Sequence, residues 1–203
     1  MLTFGILLLL VYIAGSINFA ILILKIIGKE DPRTQFSGNA GTTNVYRQAG
    51  PGWATMILIL DLGRAAAIAG LALYLLPAGC VPWIGFSLIV GNRFPCFHQF
   101  QGGKGVAGFL GFTLMISPVS TAFAALLWVA VFGIVRIPFI ASFFMILALA
   151  IGTVTVYDYQ VEALAGTFAS ALLIFYNHKR NLVALIRERK NKYENQGNTA
   201  GQH

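Results

Sequence analysis

Three polar segments hold most of the side chains in this sequence that could bind or transform a ligand. They are EDPRTQFSGNAGTTNVYRQAGPG at 30–52, GNRFPCFHQFQGGKG at 91–105 and YNHKRNLVALIRERKNKYE at 176–194. Hydroxyl, amide and imidazole groups stand there beside lysine and arginine, and glycine is frequent. Such groups supply hydrogen-bond donors and positive charge, so the chemistry they predict is recognition of an anion, above all a phosphate.

The middle segment contains QGGKG, which predicts a glycine-rich anion cradle. Gly102, Gly103 and Gly105 would let backbone N–H groups approach a ligand closely, and Lys104 would add a point charge. The N-terminus of the helix that follows would favour an anion as well. We therefore expect these residues to bind phosphate.

Two other interpretations of QGGKG are weaker. A Walker A motif needs a glycine further upstream and Ser or Thr directly after the lysine; this chain lacks the first and has Gly105 at the second, which disfavours an ATPase. Close packing of helices through small residues would explain Gly108 and Gly111. It would not explain Lys104, because a lone cation near a membrane is costly unless it is paired.

The first segment contains SGNAGTTNVYR, a long run of uncharged donors. The donors are Ser37, Asn39, Thr42, Thr43 and Asn44, with Gly38 and Gly41 permitting tight turns. Arg47 follows and can hold a phosphate bidentately. A solvated loop of turn residues is the alternative, but a turn needs fewer donors than this run contains.

The third segment places His178 and Asn181 three residues apart, which puts them on one face of a helix. A lone histidine at a membrane interface is more often structural than catalytic. The cations further along predict a helix that lies on the headgroups: Arg187, Arg189, Lys190 and Lys192.

Composition indicates the elements that must position these groups. The chain has 203 residues, of which 57% are hydrophobic and 10% charged, and its mean hydropathy is +0.74. The apolar runs are 2–27, 52–76, 81–90, 106–116, 119–135, 138–156 and 161–176. They predict an all-α polytopic membrane protein with about seven transmembrane helices, some of them short or broken. We expect a single domain over 1–193 and a disordered polar tail over 194–203.

The positive charges predict the topology. Lysine and arginine fall at alternate ends of the apolar runs, apart from Arg64 inside the second, so the N-terminus is predicted outside and the C-terminus in the cytoplasm. All three polar segments then lie on the cytoplasmic side. The net charge of +7 is explained by anionic lipids and anionic substrates, without a nucleic acid.

Two further features complete the prediction. Asp61 and Arg64 lie three residues apart within the second apolar run, and we interpret them as a structural ion pair, although charges inside a membrane are often functional. No CxxC, HExxH or Cys/His cluster occurs in the sequence, so neither a metal nor another cofactor is predicted.

Taken together, the three segments resemble the bacterial acyl-phosphate-dependent glycerol-3-phosphate acyltransferases, the PlsY type. SGNAGTTNVYR resembles that family's S-G-N-x-G-A-T-N-x-x-R, with Thr42 in place of alanine. GNRFPCFHQFQGGKGVA resembles G-x-x-x-P-x-F-x-x-F-x-G-G-K-G-V-A, and HKRNL resembles H-R-x-N-I. A D-x-x-K-G segment of the family is matched by DLGRA, with Arg64 at the lysine position. The family's glutamate twelve residues after the histidine is replaced by Lys190.

The resemblance implies a multi-pass enzyme of the bacterial inner (plasma) membrane with a cytoplasmic active site. It would move a fatty acyl group from acyl phosphate to the 1-hydroxyl of glycerol 3-phosphate, giving lysophosphatidic acid and phosphate, the first step of phospholipid synthesis. Acyl phosphate, glycerol 3-phosphate and membrane lipids are the implied partners. Family analogy leans towards glycerol 3-phosphate in the glycine-rich loop.

Residue roles follow as hypotheses. The catalytic candidates are Ser37, Lys104, His178 and Asn181, and the substrate-binding candidates are Gly38, Asn39, Thr43, Asn44, Arg47, Gly102, Gly103 and Gly105. Direct transfer is favoured over a covalent intermediate on Ser37, because no base lies near it in the sequence. Either His178 or a substrate phosphate would accept the hydroxyl proton.

Two other function classes compete with the enzyme. Glycine-interrupted helices also occur in transporters and flippases of phosphorylated metabolites or lipids, but this chain has no visible internal repeat and its polar residues cluster on one side. A structural scaffold would leave the donor-rich loops without a purpose.

Overall fold

The computed structural model describes the backbone from residue 1 to residue 200 and the side chains from residue 1 to residue 191. Helices and the loops between them make up this part of the chain. The helices are α1 (Leu2–Ser16), α2 (Phe19–Ile26), α3 (Thr42–Ala49), α4 (Pro51–Leu75), α5 (Val81–Arg93), α6 (Val106–Ile116), α7 (Pro118–Val135), α8 (Pro138–Val156), α9 (Val161–Asn177) and α10 (Lys179–Ala200), with a 3₁₀ turn at Ala78–Cys80.

Every predicted apolar run is helical, which confirms the all-α membrane fold. Four helical segments are long and apolar enough to cross a bilayer: Leu2–Ile26, Pro51–Leu75, Pro118–Val135 and Pro138–Val156. Val106–Ile116 and Val161–Asn177 are shorter apolar helices. The helices on either side of QGGKG are short, with 13 residues in α5 and 11 in α6. Pro51, Pro82, Pro118 and Pro138 each occupy the first turn of a helix, where the missing N–H costs no hydrogen bond.

The first apolar run is long enough to cross a bilayer, as predicted, and it is one of the broken ones, with a helix on each side of the break. Helix α1 ends at Ser16, and α2 begins at Phe19 with Asn18 as its N-cap. The Asn18 Oδ1 accepts a hydrogen bond from the Ile21 N–H at 3.0 Å, and its Nδ2 donates to the Ala40 carbonyl at 3.2 Å. The break therefore connects the start of α2 to the first polar segment.

Arg64, which lies in α4, contacts the main chain at the break between α1 and α2. Its Nη2 lies 2.8 Å from Asp61 Oδ1, and its Nη1 donates to the Ala14 carbonyl at 3.4 Å and to the Ile17 carbonyl. The guanidinium also lies over the Phe19 ring, 4.9 Å from the centroid. The predicted ion pair is present. The partners of Arg64 come from α1, the break after it, α2 and α4.

Helix α5 lies near the centre, in contact with α1, α4, α6 and α9. Glycines allow two of the close approaches. A Cβ on Gly91 would stand 2.3 Å from the Tyr12 carbonyl of α1, and one on Gly111 would stand 2.5 Å from the Leu62 carbonyl of α4. The packing interpretation is therefore confirmed for Gly111. It is not needed for Gly108, where a Cβ would meet only the Leu88 side chain at 3.9 Å.

Helix α10 continues from the end of α9 into the predicted tail. Its exposed residues in the described part include the apolar Leu182, Val183 and Ile186 beside the basic Arg187 and Arg189. This composition fits the predicted interfacial helix. Residues 201–203 lie outside the described part of the chain, and disorder over 194–203 stays a prediction.

Candidate active site

The three polar segments meet in one cleft, where α5 and α9 end and α10 begins. This convergence confirms the expectation drawn from their shared side in the topology. The cleft is lined by Ser37, Gly38, Asn39, Arg93, Gly102, Gly103, Lys104, Tyr176, Asn177, Lys179, Arg180 and Asn181.

The lining divides the predicted site residues into two sets. Those that the cleft brings together are Ser37, Gly38, Asn39, Gly102, Gly103, Lys104 and Asn181. Those outside its lining are Thr43, Asn44, Arg47, Gly105 and His178. Five lining residues were not predicted from the sequence as site residues: Arg93, Tyr176, Asn177, Lys179 and Arg180.

Lys104 is the best-placed cation of the cleft. Its Nζ donates to the Asn181 Oδ1 at 2.6 Å, which joins the second polar segment to the third. Burial, aided by the positive charge of Arg47, lowers the pKa of Lys104 to about 8. None of the lining residues in the described part of the chain is acidic. The ammonium group therefore has a neutral amide as its partner and can accept an anion as counter-charge.

The main chain at Lys104 is held by residues that the sequence analysis missed. Asn177 donates from Nδ2 to the Lys104 carbonyl at 3.2 Å, and its Oδ1 accepts from Arg93 Nε at 2.9 Å. Asn177 is only 9% exposed. In the sequence, Arg93 and Asn177 are polar residues at the ends of apolar helices. Residues that only anchor a helix at the membrane interface show the same pattern.

Two N–H groups of the glycine-rich loop donate to main-chain carbonyls at the end of α5. The Gly102 N–H donates to the Arg93 carbonyl at 3.2 Å, and the Gly103 N–H donates to the Asn92 carbonyl at 2.9 Å. Gly105 lies outside the cleft lining, with φ at +90° as the N-cap of α6. Two of the three N–H groups therefore already donate to the end of α5, and phosphate binding by Gly102, Gly103 and Gly105 stays a prediction.

The glycines are required by close approach of the backbone. A Cβ on Gly102 would stand 2.0 Å from the Asn92 carbonyl oxygen. A Cβ on Gly103 would stand 2.6 Å from the Asn92 side chain and 2.9 Å from the Ala40 carbonyl. Because these two residues are glycines, the second polar segment packs closely against both α5 and the first segment. This packing places Lys104 at the cleft.

The buried Asn44 side chain is hydrogen-bonded to three other residues of the first polar segment. It is 1% exposed, and its Nδ2 donates to the carbonyls of Pro32 and Gln35 at 3.1 and 3.0 Å. Its Oδ1 accepts from the Ser37 hydroxyl at 2.8 Å. The Ser37 proton is thus directed at an amide and not at a base, which agrees with direct transfer and leaves the Ser37 oxygen able to accept.

Arg33 joins the first segment to the second. Its guanidinium pairs with Asp31 at 2.6 Å, and its Nη1 donates to the carbonyls of His98 and Gln101 at 2.8 and 3.3 Å. The pairing lowers the pKa of Asp31, which keeps the carboxylate ionised. Arg33 therefore positions the residues that directly precede Gly102.

His178 is buried beside the cleft. Its Nδ1 lies 2.8 Å from the Ile174 carbonyl, and its ring packs against Phe139 and Phe143 of α8, with centroids at 6.4 and 5.3 Å. Since a carbonyl only accepts, Nδ1 carries the hydrogen and Nε2 keeps its lone pair. Burial and the charge of Lys104 lower the pKa of His178 to about 4, so the imidazole is neutral at pH 7.

Thr43 and Arg47 are the remaining predicted residues. Both are exposed on α3, and the Arg47 guanidinium lies 6.0 Å from the centroid of the Phe36 ring. The effect of Arg47 on the charge of Lys104 places it within electrostatic reach of the cleft. A direct role for either residue in substrate binding stays a prediction.

Comparison with known proteins decides the family. The model of the family described as glycerol-3-phosphate acyltransferase matches residues 5–188, which is most of the chain. The chain belongs to the glycerol-3-phosphate acyltransferase family. Among named members, it is 37% identical over 176 residues to the glycerol-3-phosphate acyltransferase of Methylobacillus flagellatus, covering 86% of this chain and 89% of the relative. The member from Myxococcus xanthus is 36% identical over 194 residues, with 92% and 98% of the two chains covered.

Solved structures of this acyltransferase family share the fold. The crystal structure of PlsY, an integral membrane glycerol 3-phosphate acyltransferase, in its glycerol 3-phosphate form superposes with a TM-score of 0.85 at 30% identity and covers 92% of this chain and 94% of that one. The lysophosphatidic acid form gives 0.83 at 29% identity, with 92% and 93% covered. The resemblance seen in the sequence motifs is thereby confirmed.

Proposed function

We propose that this acyltransferase moves a fatty acyl group from acyl phosphate to the 1-hydroxyl of glycerol 3-phosphate, giving lysophosphatidic acid and phosphate. The observation that carries the proposal is the Lys104 ammonium group, bonded to Asn181 in a cleft whose lining, over the described side chains 1–191, contains no acidic residue. A phosphate monoester supplies the missing negative charge. The similar PlsY structures in glycerol 3-phosphate and lysophosphatidic acid forms support this choice of ligand.

The position of the cleft suits an amphiphilic product. It lies at the end of a bundle whose helices expose apolar side chains along their length, so an acyl chain can stay in the bilayer while the phosphate enters the cleft. We place the enzyme in the bacterial inner membrane with the cleft in the cytoplasm and the N-terminus outside. The distribution of lysine and arginine supports this orientation.

Charge stabilisation is the main contribution expected from the protein. The hydroxyl oxygen of glycerol 3-phosphate attacks the acyl carbon, the bond from that carbon to the phosphate oxygen breaks, and phosphate leaves with the electron pair. Lys104 and Asn181 hold the acceptor's phosphate, and Ser37 and Asn39 offer further polar contacts in the same lining. Such preorganised groups lower the barrier where negative charge develops.

Two groups can accept the hydroxyl proton. The neutral His178 has a free lone pair on Nε2, but its ring is 3% exposed and lies outside the cleft lining. If a substrate phosphate accepts the hydroxyl proton instead, no base from the protein is needed. His178→Gln separates the two: lost turnover at an unchanged unfolding temperature assigns the proton to His178, whereas nearly intact turnover assigns it to the phosphate.

The decisive experiment measures lysophosphatidic acid and phosphate formed by the purified protein. Glycerol 3-phosphate is supplied with either palmitoyl phosphate or palmitoyl-coenzyme A. We expect turnover with palmitoyl phosphate, no turnover with the coenzyme A donor, and loss of activity in Lys104→Ala. Folded protein that binds glycerol 3-phosphate but forms no product with either donor would refute the enzyme and favour a transporter.

A further inference from the structure

The cleft contains cations beyond those assigned to glycerol 3-phosphate. Arg93 comes from the last residue of α5, and Lys179 and Arg180 come from the first turn of α10. The motifs of the first two polar segments do not account for these residues. Their role therefore has to be argued from their contacts.

Arg93 is fixed by its environment. Its Nε donates to Asn177 Oδ1 at 2.9 Å, and the guanidinium carbon lies 5.0 Å from the centroid of the Phe94 ring. Among the described residues, its two terminal nitrogens make no side-chain hydrogen bond or ion pair. They are the two donors that a guanidinium group uses to hold an oxyanion bidentately.

Arg180 is close enough to Arg93 that their positive charges repel each other. Within the described part of the chain, the Arg180 side chain has no hydrogen bond or ion pair, and the cleft lining contains no carboxylate that would offset the repulsion. Guanidinium groups stay protonated in proteins, so the pair cannot relieve the repulsion by losing a proton. A bound anion relieves it directly.

We propose that Arg93 and Arg180 form a second anion subsite, which holds the phosphate of the acyl phosphate donor. This inference rests on the proposed function, in which Lys104 and Asn181 hold glycerol 3-phosphate. Two phosphorylated substrates need two sets of cations, and the cleft provides them.

The surroundings of the pair fit the donor better than the acceptor. Phe94 and Tyr176 flank it and are 37% and 55% exposed, so aromatic surface adjoins the cations. Acyl phosphate joins an apolar chain to a phosphate, whereas glycerol 3-phosphate is polar throughout. The arginine pair therefore matches the phosphate of the donor, and the aromatic surface matches its acyl chain.

The arginine pair would act on the leaving group. When the acyl carbon bonds to the 1-hydroxyl oxygen of glycerol 3-phosphate, its bond to the phosphate oxygen breaks and that oxygen takes the electron pair. The hydroxyl proton passes to His178 or to a substrate phosphate. Arg93 and Arg180 then hold the inorganic phosphate and stabilise the charge that it gains.

The test compares Arg180→Gln with Arg187→Gln in steady-state kinetics. Both arginines are exposed on α10, but only Arg180 lines the cleft. For Arg180→Gln we expect about a tenfold rise in KM for palmitoyl phosphate and in the inhibition constant of inorganic phosphate, as for loss of one charge-assisted hydrogen bond. The KM for glycerol 3-phosphate should stay within about twofold of wild type, and Arg187→Gln should behave as wild type.

Arg93→Lys provides a second test, because it keeps the charge and loses the bidentate fork. It should raise the KM for palmitoyl phosphate. Asn181→Ala, which removes the partner of the Lys104 ammonium group and, among the described side chains, has no hydrogen bond with Arg93, should instead raise the KM for glycerol 3-phosphate. A common effect of all three variants on glycerol 3-phosphate would overturn the second subsite.

Other outcomes separate this inference from the proposed function. A wild type that makes no lysophosphatidic acid from palmitoyl phosphate overturns both. An active wild type whose KM for palmitoyl phosphate is unchanged by Arg180→Gln overturns only the subsite. An Arg180→Gln defect that appears in vesicles with anionic lipids and vanishes in neutral ones would reassign Arg180 to lipid headgroups.

Discussion

Arg64 and Lys104 are both cations in an apolar protein, yet their environments differ. Arg64 lies within α4 and has the Asp61 carboxylate, two main-chain carbonyls and an aromatic ring as partners. Lys104 lies at the cleft and has one neutral amide, that of Asn181. The Nε of Arg64 is buried without a hydrogen-bond partner in the described part of the chain, but a carboxylate offsets the guanidinium charge, so loss of Arg64 would leave Asp61 as an uncompensated buried charge. A cation that lacks a counter-charge is positioned for an anionic ligand.

The comparison predicts that changes at Arg64 affect stability, whereas changes at Lys104 affect catalysis. Arg64→Met leaves Asp61 buried without its partner, because both side chains are largely covered, with 10% and 13% exposure. Breaking such a pair costs about 3–5 kcal/mol. We expect a large loss of unfolding free energy, measured by denaturation in detergent micelles.

A matched double variant tests the cause of that loss. Asp61→Leu with Arg64→Met removes both charges, so most of the stability should return. The carbonyls at the α1–α2 break would still lose their donor, which predicts a small residual defect. If the double variant is as unstable as Arg64→Met, the pair itself is not what stabilises this region.

Lys104→Ala is expected to reduce kcat/KM by about a hundredfold to a thousandfold, the usual effect of removing one preorganised charge-stabilising donor. The free energy of unfolding should be unchanged or higher, because a desolvated cation without a carboxylate partner is removed. Lys29→Ala is the control, since Lys29 is exposed and outside the cleft lining. Equal losses of activity in the two variants would contradict the comparison.

Gly102 tests whether the glycine-rich loop positions Lys104. A Cβ there would stand 2.0 Å from the Asn92 carbonyl, so Gly102→Ala must displace the loop. Overpacking costs about 1–3 kcal/mol, and we expect the KM for glycerol 3-phosphate to rise about tenfold as the Lys104–Asn181 contact is strained.

Gly108→Ala is the matched control, because its Cβ would make only an ordinary contact with Leu88 at 3.9 Å. It should leave the KM unchanged. A normal KM in Gly102→Ala would show that the close approach to Asn92 does not determine the position of Lys104.

The sequence predicted the location of the cleft because polar residues stand out in an apolar chain. Ser37, Lys104 and Asn181 come from three distant segments, and the distribution of charge alone placed those segments on one side. The fold followed similarly from the apolar runs. Broken helices were expected, but the position of the break at Asn18 was not predicted, since it lies inside one of those runs.

The contacts within the cleft were harder to predict. Glycine in a sequence allows both ligand binding and close packing, and only the partners of the N–H groups of Gly102 and Gly103 distinguish the two. Arg93 and Asn177 were missed for a related reason. At the end of an apolar helix, a polar residue that holds the main chain of Lys104 has the same pattern as one that contacts water.

The pH dependence of glycerol 3-phosphate use gives the smallest expected effect. Burial lowers the pKa of Lys104 to about 8, so in the free enzyme the amine loses its charge as the pH rises through that value. The second pKa of a phosphate monoester is near 6, so the substrate's charge is constant there. We expect kcat/KM for glycerol 3-phosphate to fall by up to about tenfold per pH unit above pH 8.

Lys104→Arg isolates the titrating group. Arginine stays protonated throughout this range, so the variant should lose the alkaline decline even if its activity is lower, since its charge no longer depends on pH. Lysophosphatidic acid formation is the appropriate readout, because spontaneous hydrolysis of acyl phosphate releases phosphate without it. If the decline near pH 8 persists in Lys104→Arg, another group controls anion binding, and the contrast between Lys104 and Arg64 would have to be explained by packing alone.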